Sequence, residues 1–283
     1  MSAESEGKAR AEEFRREHDL GHQPLEDLVA FIDLTVGLDV AILDAERDEH
    51  GLAMQDPERG VTIIAAARTR HPMRQRSTLA HELGHVLFGD YARPKPDQWD
   101  ERSHEECRAD AFARHLLVPL NGVRSLSHDG PAVLADLSRL VQRFQASPQM
   151  VAIQLREGRR ISQAQVRSWA SVTTPQLAAQ FGWSDQYHAL QRESDARRAP
   201  QRLLARATTG YLANVISLSA IARLRGITPH EVESEFEEAG LIPREADIEW
   251  ASPDDLPPVN DDLDDLDDVL PPPAESGGGD QYE

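Results

Sequence analysis

The residues with the clearest chemical potential form the run His81-Glu82-Leu83-Gly84-His85. On a helix, side chains four positions apart lie above one another on the same face, so both imidazoles could ligate one metal ion. Glu82 lies about 100° around the helix from His81, where its carboxylate can reach a water on that metal without ligating it. This is the arrangement that a zinc-dependent hydrolase requires.

A further ligand is needed, because a catalytic zinc ion takes three protein ligands and leaves its fourth position to water. A second helix, ended by Pro119, is predicted downstream, and Glu106 and Asp110 lie one turn apart on it. We predict Glu106 as the third ligand. We predict that Asp110 accepts a hydrogen bond from the outer nitrogen of a ligand histidine and so fixes its tautomer. One alternative stays open, in which Ser103 and Glu106 form a capping box and Glu106 acts only locally.

The first motif helix has recognisable ends. Ser77 or Thr78 could cap its start, and Gly89 stands where a helix commonly stops. Gly84 costs about 1 kcal/mol inside a helix compared with Ala. A glycine at this point therefore predicts that another element packs closely on that turn.

Short strands are predicted upstream of the motif, after an amphipathic helix over residues 24–35. Strands joined by short turns indicate a small antiparallel sheet. We expect this sheet to pack on the helix that carries His81 and His85, in an α+β fold. The run Val61-Thr62-Ile63-Ile64 is a candidate edge strand that could hold an extended substrate, although it could equally be an interior strand. The strand-like runs are residues 39–43, 51–55 and 61–66.

From residue 131 the chain is predicted to be mostly helical, with two helix-turn-helix-like units. Arginines surround the first unit, whereas the second carries five glutamates between residues 231 and 238, which would repel phosphates. Direct DNA binding is therefore not expected. The units combine residues 133–144 with 149–156, and residues 218–224 with 232–239.

Composition limits the compartment and the class of protein. The chain of 283 residues has a single cysteine, Cys107, which excludes an intramolecular disulfide and suits a reducing cytosol. The N-terminus lacks the apolar stretch of a signal peptide, and no apolar run is long enough to cross a membrane. We expect a cytoplasmic protein with no membrane association.

Charge is distributed unevenly along the chain. The net charge is −19, and residues 251–283 contain eleven acidic residues and no Lys or Arg. Such a segment cannot bury enough apolar surface to fold, so we predict a disordered tail that aids solubility or attracts a basic partner. The predicted segments are a poorly ordered or helical N-terminus (1–20), a zincin-like metallopeptidase domain (21–130), a helical region (131–250) and the acidic tail (251–283).

The two motif runs together resemble the ImmA/IrrE family of metallo-endopeptidases. They are residues 78–85, TLAHELGH, and residues 106–119, ECRADAFARHLLVP. The resemblance extends over roughly residues 20–160 and implies His81, His85 and Glu106 as zinc ligands and Glu82 as the catalytic glutamate. It also implies a substrate class, the intracellular helix-turn-helix repressors, which are cut to release transcription. The chain departs from the family at Asp110, where Asn is usual.

The sequence therefore predicts a zinc endopeptidase that cleaves a specific regulatory protein, such as a helix-turn-helix repressor. An alternative is a transcription-associated or toxin–antitoxin accessory binding protein with little or no proteolytic activity. The presence of Glu82 favours the enzyme, since a structural zinc site needs no base beside the metal. The group that stabilises the oxyanion is left open among Tyr91, His104, Arg114 and His115.

Overall fold

The computed structural model describes residues 1–44, 51–56, 58–90, 103–126 and 130–244. Helices dominate, and a three-stranded sheet lies between the second and third of them in sequence. The N-terminal elements are α1 (Ala3–Glu17), α2 (Leu28–Ala30) continued by a π-helical segment (Phe31–Val36), β1 (Asp39–Leu43), β2 (Gly51–Gln55), β3 (Thr62–Ala67), α3 (Pro72–Phe88) and α4 (His104–Leu117). The remaining elements are α5 (Leu120–Leu126), α6 (Leu134–Phe144), α7 (Pro148–Glu157), α8 (Gln163–Ser168), α9 (Thr174–Gln180), α10 (Ser184–Ser194), α11 (Gln201–Leu212), α12 (Leu218–Arg225) and α13 (Pro229–Glu238).

The sheet has the order β1-β3-β2. The predicted α+β class is confirmed, but the antiparallel sheet is mixed, because β3 pairs with β2 in antiparallel and with β1 in parallel orientation. Of the two positions left open for residues 61–64, an edge strand or an interior strand, the structure shows the interior one, since β3 is the central strand. Its buried residues Ile64, Ala65 and Ala66 suit a position with a neighbour on each side.

The two outer strands differ in what covers their free edges. On β1, the backbone N–H of Ile42 donates to the Arg198 carbonyl at 2.8 Å, and the Arg198 N–H donates back at 3.0 Å. This isolated bridge covers the outer edge of β1 at Ile42. Within the described ranges, β2 pairs with β3 alone, so its other edge is open.

The helix predicted over residues 24–35 begins later than expected. The side chain of Asp27 caps α2 by accepting a hydrogen bond from the Ala30 N–H at 2.8 Å. The π-helical segment then ends at Gly37, whose φ of 78° reverses the chain into β1. The Asp27 cap explains the shift, because an aspartate side chain satisfies the free N–H groups of a first turn.

Helix α3 is longer at its start than the sequence suggested. It begins at Pro72, with His71 at the N-cap, so Ser77 and Thr78 lie inside the helix and do not cap it. Proline suits the first helical position because its missing N–H would have had no partner there. The predicted end is confirmed, since Gly89 adopts a left-handed φ of 72°.

Helix α4 packs closely on α3, as the glycine in the motif predicted. A Cβ atom at Gly84 would lie 3.0 Å from Cδ1 of Phe112 and 3.3 Å from Cα of Ala109. The missing side chain therefore lets the two helices approach where the motif residues lie.

Helix α1 packs on another side of α4. A Cβ atom at Gly7 would lie 2.2 Å from the carbonyl oxygen of Arg108, which is closer than any side chain could approach. Phe14 contacts Phe112 edge-on, with ring centroids 5.9 Å apart. The buried Arg15 donates hydrogen bonds to backbone carbonyls, including that of Leu116 at the end of α4. The N-terminal helix is thus fixed to the helix that carries Glu106.

One hydrophobic core includes residues from Ala11 in α1 to Tyr187 in α10, and a smaller core joins α11, α12 and α13. Helices form at both predicted helix-turn-helix positions, but the buried faces of α6 and α7 belong to the main core. The helix-turn-helix character of these units and the four-segment division of the chain stay predictions, and the acidic tail lies outside the described residues. No helix in the described part of the chain is long and apolar enough to cross a membrane.

Candidate metal centre

Three potential ligand atoms converge between α3 and α4. Nε2 of His81 lies 3.0 Å from Nε2 of His85 and 3.1 Å from Oε2 of Glu106. Nε2 of His85 lies 3.5 Å from Oε1 of Glu106. Tetrahedral zinc with bonds of about 2.0–2.1 Å holds its ligand atoms about 3.3 Å apart. The donor set and its spacing therefore fit a zinc ion, and the three predicted ligands are brought together as the sequence suggested.

Two features of helix geometry produce this convergence. His81 and His85 are one turn apart on α3, and the close contact at Gly84 brings the first turn of α4 opposite them. The hydroxyl of Ser103 caps α4 by accepting the Glu106 N–H at 3.2 Å. One of the two hydrogen bonds of a Ser103–Glu106 capping box therefore forms, the one to the Glu106 backbone. The Glu106 carboxylate, however, faces the histidines. The residue can cap through its backbone and bind through its side chain.

Both histidines are held from outside by carboxylates. Oδ1 of Asp110 lies 3.0 Å from Nδ1 of His81, so the structure places Asp110 where the sequence predicted. Oδ2 of Asp90 lies 3.2 Å from Nδ1 of His85, a contact that the sequence does not predict. An acidic residue directly after the Gly89 helix stop is the only local signal for it. If each Nδ1 donates to its carboxylate, each Nε2 directs its lone pair at the shared point.

Acidic groups control the protonation of the centre. Burial opposes a charge on His81, but hydrogen bonds to Asp110 and Glu106 outweigh it and raise the His81 pKa to about 9. The hydrogen bonds from His81 and His85 hold the pKa of Glu106 well below its usual range, against the effect of burial. Glu106 is consequently ionised at neutral pH, and the surroundings of the His81 imidazole favour a positive charge.

Comparison with known proteins agrees with this geometry. Residues 36–156 match the peptidase M78 family, described as the IrrE N-terminal-like domain. This match supports an ImmA/IrrE-type metallopeptidase domain over residues 36–156. The matched segment begins just before β1, ends within α7 and includes both motif helices. No curated protein matches the chain. The match to a metallopeptidase domain supports a peptidase-type function and suggests a metal, which His81, His85 and Glu106 could bind.

In this metallopeptidase domain, Glu82 is buried beside the edge of the sheet, with 7% of its surface exposed. A Cβ atom at Gly51, the first residue of β2, would lie 3.0 Å from Oε1 of Glu82. The negative charge of Glu82 also contributes to the raised pKa of His81, so the carboxylate lies within electrostatic reach of that ligand. The Glu82 side chain therefore extends from α3, the helix that carries both histidines, to the start of β2.

The candidates for oxyanion stabilisation are engaged elsewhere or lie outside the described residues. His104 contacts Glu6 of α1, with 3.7 Å between Nε2 and Oε1. Arg114 and His115 both contact Glu4, near the start of α1. Tyr91 falls in the undescribed range after α3. The oxyanion donor therefore stays unassigned.

A second group of potential ligands surrounds His115. Glu4, His115 and Glu157 bring three ligand atoms within 4.8 Å of one another. The guanidinium of Arg114 occupies this group, because its Nη2 contacts Glu4 and lies 3.6 Å from Oε1 of Glu157. Since a protein cation already neutralises these carboxylates, the centre on α3 is the better metal site.

Proposed function

We propose that this protein is a zinc-dependent endopeptidase in which His81, His85 and Glu106 hold the metal and Glu82 is the general base. The observation that carries the proposal is the convergence of the three ligand atoms at separations of 3.0–3.5 Å. Nitrogen and carboxylate ligands in this number suit catalytic zinc, which keeps one position open.

The chemistry divides between the metal and the side chains. A bound zinc ion would acidify a water molecule and polarise the carbonyl of the scissile peptide bond. The carboxylate of Glu82 accepts a proton from the attacking water and later delivers it to the amine nitrogen of the leaving peptide. Asp110 and Asp90 hold the two imidazoles in orientation and tautomer, so that the lone pairs of both Nε2 atoms stay directed at one point.

The open edge of β2 suits an extended segment of a protein substrate. A peptide that pairs with this edge would continue the sheet past Gly51, the residue beside Glu82. Leu52 and Met54 are about half exposed, at 45% and 51%, and share one face of β2. These side chains would give such a strand apolar contacts. We therefore replace the predicted β3 edge with β2 as the proposed substrate strand.

We propose a helix-turn-helix repressor as the substrate, because the family resemblance points to that class. The site requires an extended segment, so cleavage is expected in a linker or exposed strand of the repressor and not within a folded helix. We further propose action in the cytoplasm, where Cys107 would stay reduced, and no direct contact with DNA.

The test uses the full-length protein with any helix-turn-helix repressor that is encoded beside its gene. Glu82→Gln should bind zinc and fold like the parent protein but lose cleavage, whereas His85→Ala should lose zinc. Zinc affinity is measured by competition with a chromophoric chelator, and cleavage is measured by mass spectrometry of the repressor. Cleavage by the Gln variant at the parental rate would refute the general-base role. Zinc-loaded parent protein that binds the repressor without cutting it would favour the accessory binding protein.

A further inference from the structure

A chain of polar contacts leads outward from His85 to α1. Asp90 uses its two carboxylate oxygens differently: Oδ2 faces Nδ1 of His85 at 3.2 Å, and Oδ1 accepts a hydrogen bond from Nη2 of Arg108. The other terminal nitrogen of Arg108, Nη1, lies 3.7 Å from Oε2 of Glu6. The Arg108 guanidinium therefore connects three elements: the end of α3, the first half of α4 and the N-terminal helix.

The guanidinium is held in place by more than its charges. Its central carbon lies 4.4 Å from the centre of the Phe88 ring, within the range of a cation–π contact. The side chains of Arg108 and Asp90 are largely buried, with 17% and 9% of their surfaces exposed. A buried charged hydrogen bond of this kind is stronger and better oriented than an exposed ion pair.

We propose that Arg108 is a positioning residue for the metal ligand His85 and that it acts through Asp90. The inference rests on the proposed function, in which His85 binds zinc. Asp90 follows the Gly89 helix stop, so the helix backbone does not fix its direction. Arg108 binds one carboxylate oxygen and thereby aims the other at Nδ1, which sets the plane of the imidazole ring. Without it, the carboxylate can rotate and the ring loses its preferred orientation.

Glu6 connects this chain of polar contacts to α1, which lies outside the segment matched by the family. Its carboxylate is more distant and contacts both Arg108 and His104. We therefore expect Glu6 to steady the guanidinium and to contribute less than Asp90 does.

The test measures zinc affinity, which a purely structural ion pair would not change. Arg108→Gln in the full-length protein should weaken zinc binding by about 10- to 100-fold, the range for loss of a group that orients a ligand histidine. Arg108→Lys should recover part of this loss, because it restores the charge without the planar fork. The cobalt(II)-substituted Gln variant should also show an altered visible absorption spectrum, since the ring orientation at the metal changes.

A double-mutant cycle tests whether Arg108 acts through Asp90. Asp90→Ala should weaken zinc binding similarly, and adding Arg108→Gln to it should cause little further loss. Arg114→Gln is the matched control, because Arg114 is on the same helix, is similarly buried at 13% exposure and pairs with Glu4 instead. It should lower thermal stability but change zinc affinity by less than about twofold.

Two results would overturn the inference: parental zinc affinity in Arg108→Gln, or full additivity of the Arg108 and Asp90 substitutions. Failure of the proposed function would look different, because His85→Ala itself would then bind zinc as the parent protein does.

Discussion

Gly51→Ala should damage the site through crowding, because this residue lies against α3 where β2 begins. The backbone at Gly51 does not adopt a left-handed φ, so alanine brings no backbone strain. Its Cβ atom, however, would lie 2.3 Å from Cγ2 of Thr78 and 3.0 Å from Oε1 of Glu82. Carbon atoms in contact prefer about 3.5 Å, so the strand and helix must separate by about 1.2 Å at Thr78.

That displacement has two measurable consequences. Overpacking of this kind costs about 1–3 kcal/mol, and the reduced freedom of the unfolded chain offsets about 0.4–1 kcal/mol, so urea melts should show a net loss of about 1.3 kcal/mol at the midpoints and about 2.6 kcal/mol at most. Moving β2, the proposed substrate strand, by about 1 Å relative to the Glu82 carboxylate should slow repressor cleavage by up to about 100-fold. Zinc affinity should stay at the parental value, because none of the atoms that crowd this Cβ belongs to a proposed ligand.

A second substitution isolates the steric cause. Thr78→Ser removes Cγ2, the closest atom, and keeps the hydroxyl group. The Gly51→Ala/Thr78→Ser protein should therefore recover most of the lost stability, while the serine substitution alone should have little effect. The reasoning would be refuted if Gly51→Ala matched the parent protein in both stability and cleavage rate, or if the serine substitution gave no recovery.

Two further predictions concern α1 and α4. Gly7→Ala should lower the free energy of unfolding by about 1–2 kcal/mol although alanine is the better helix former by about 1 kcal/mol, because its Cβ would meet the carbonyl of Arg108. Ala9→Gly on the exposed face of α1 measures the effect of helix propensity alone in the same urea melts. A more stable Gly7→Ala protein would contradict the close packing. Burial lowers the pKa of His115 to about 4, so the neutral ring stabilises the fold and this contribution should be lost as pH falls from about 6.5 to 4. In melts at several pH values, His115→Gln should reduce the loss of unfolding free energy between pH 6.5 and 4 by up to about 3 kcal/mol. An unchanged dependence of stability on pH would exclude His115 as the cause of that loss.

The local sequence was sufficient to predict most of the centre. Helical periodicity places His81 and His85 on one face whatever surrounds them, and the spacing of Glu106 and Asp110 likewise depends only on one helix. Asp90 was missed because it follows a helix end, where periodicity no longer predicts direction. Its role becomes visible only when α4 brings Arg108 and α3 brings His85 to the same carboxylate.

The order of strands in the sheet is likewise beyond what local sequence predicts. The three strands were located to within a residue, because short apolar runs and turns are local signals. Which strands pair is a tertiary property, and the parallel β1–β3 pairing could not be inferred from strands of similar length and composition. Sequence alone left residues 61–64 open between an edge and an interior strand, and the pairing of β3 on both sides leaves β2 as the strand proposed to receive substrate.

The single core that links α1 to α10 has a consequence for how this protein could have changed over time. Phe14 and Leu28 precede the segment matched by the family, Trp169 follows it, and all three share that core with Leu83 and Phe112 from the motif helices. A gene exchange that transplanted residues 36–156 alone would leave these apolar side chains facing water on both sides of the cut. Residues 36–156 can therefore be inherited as a folded unit only together with the helices that flank them.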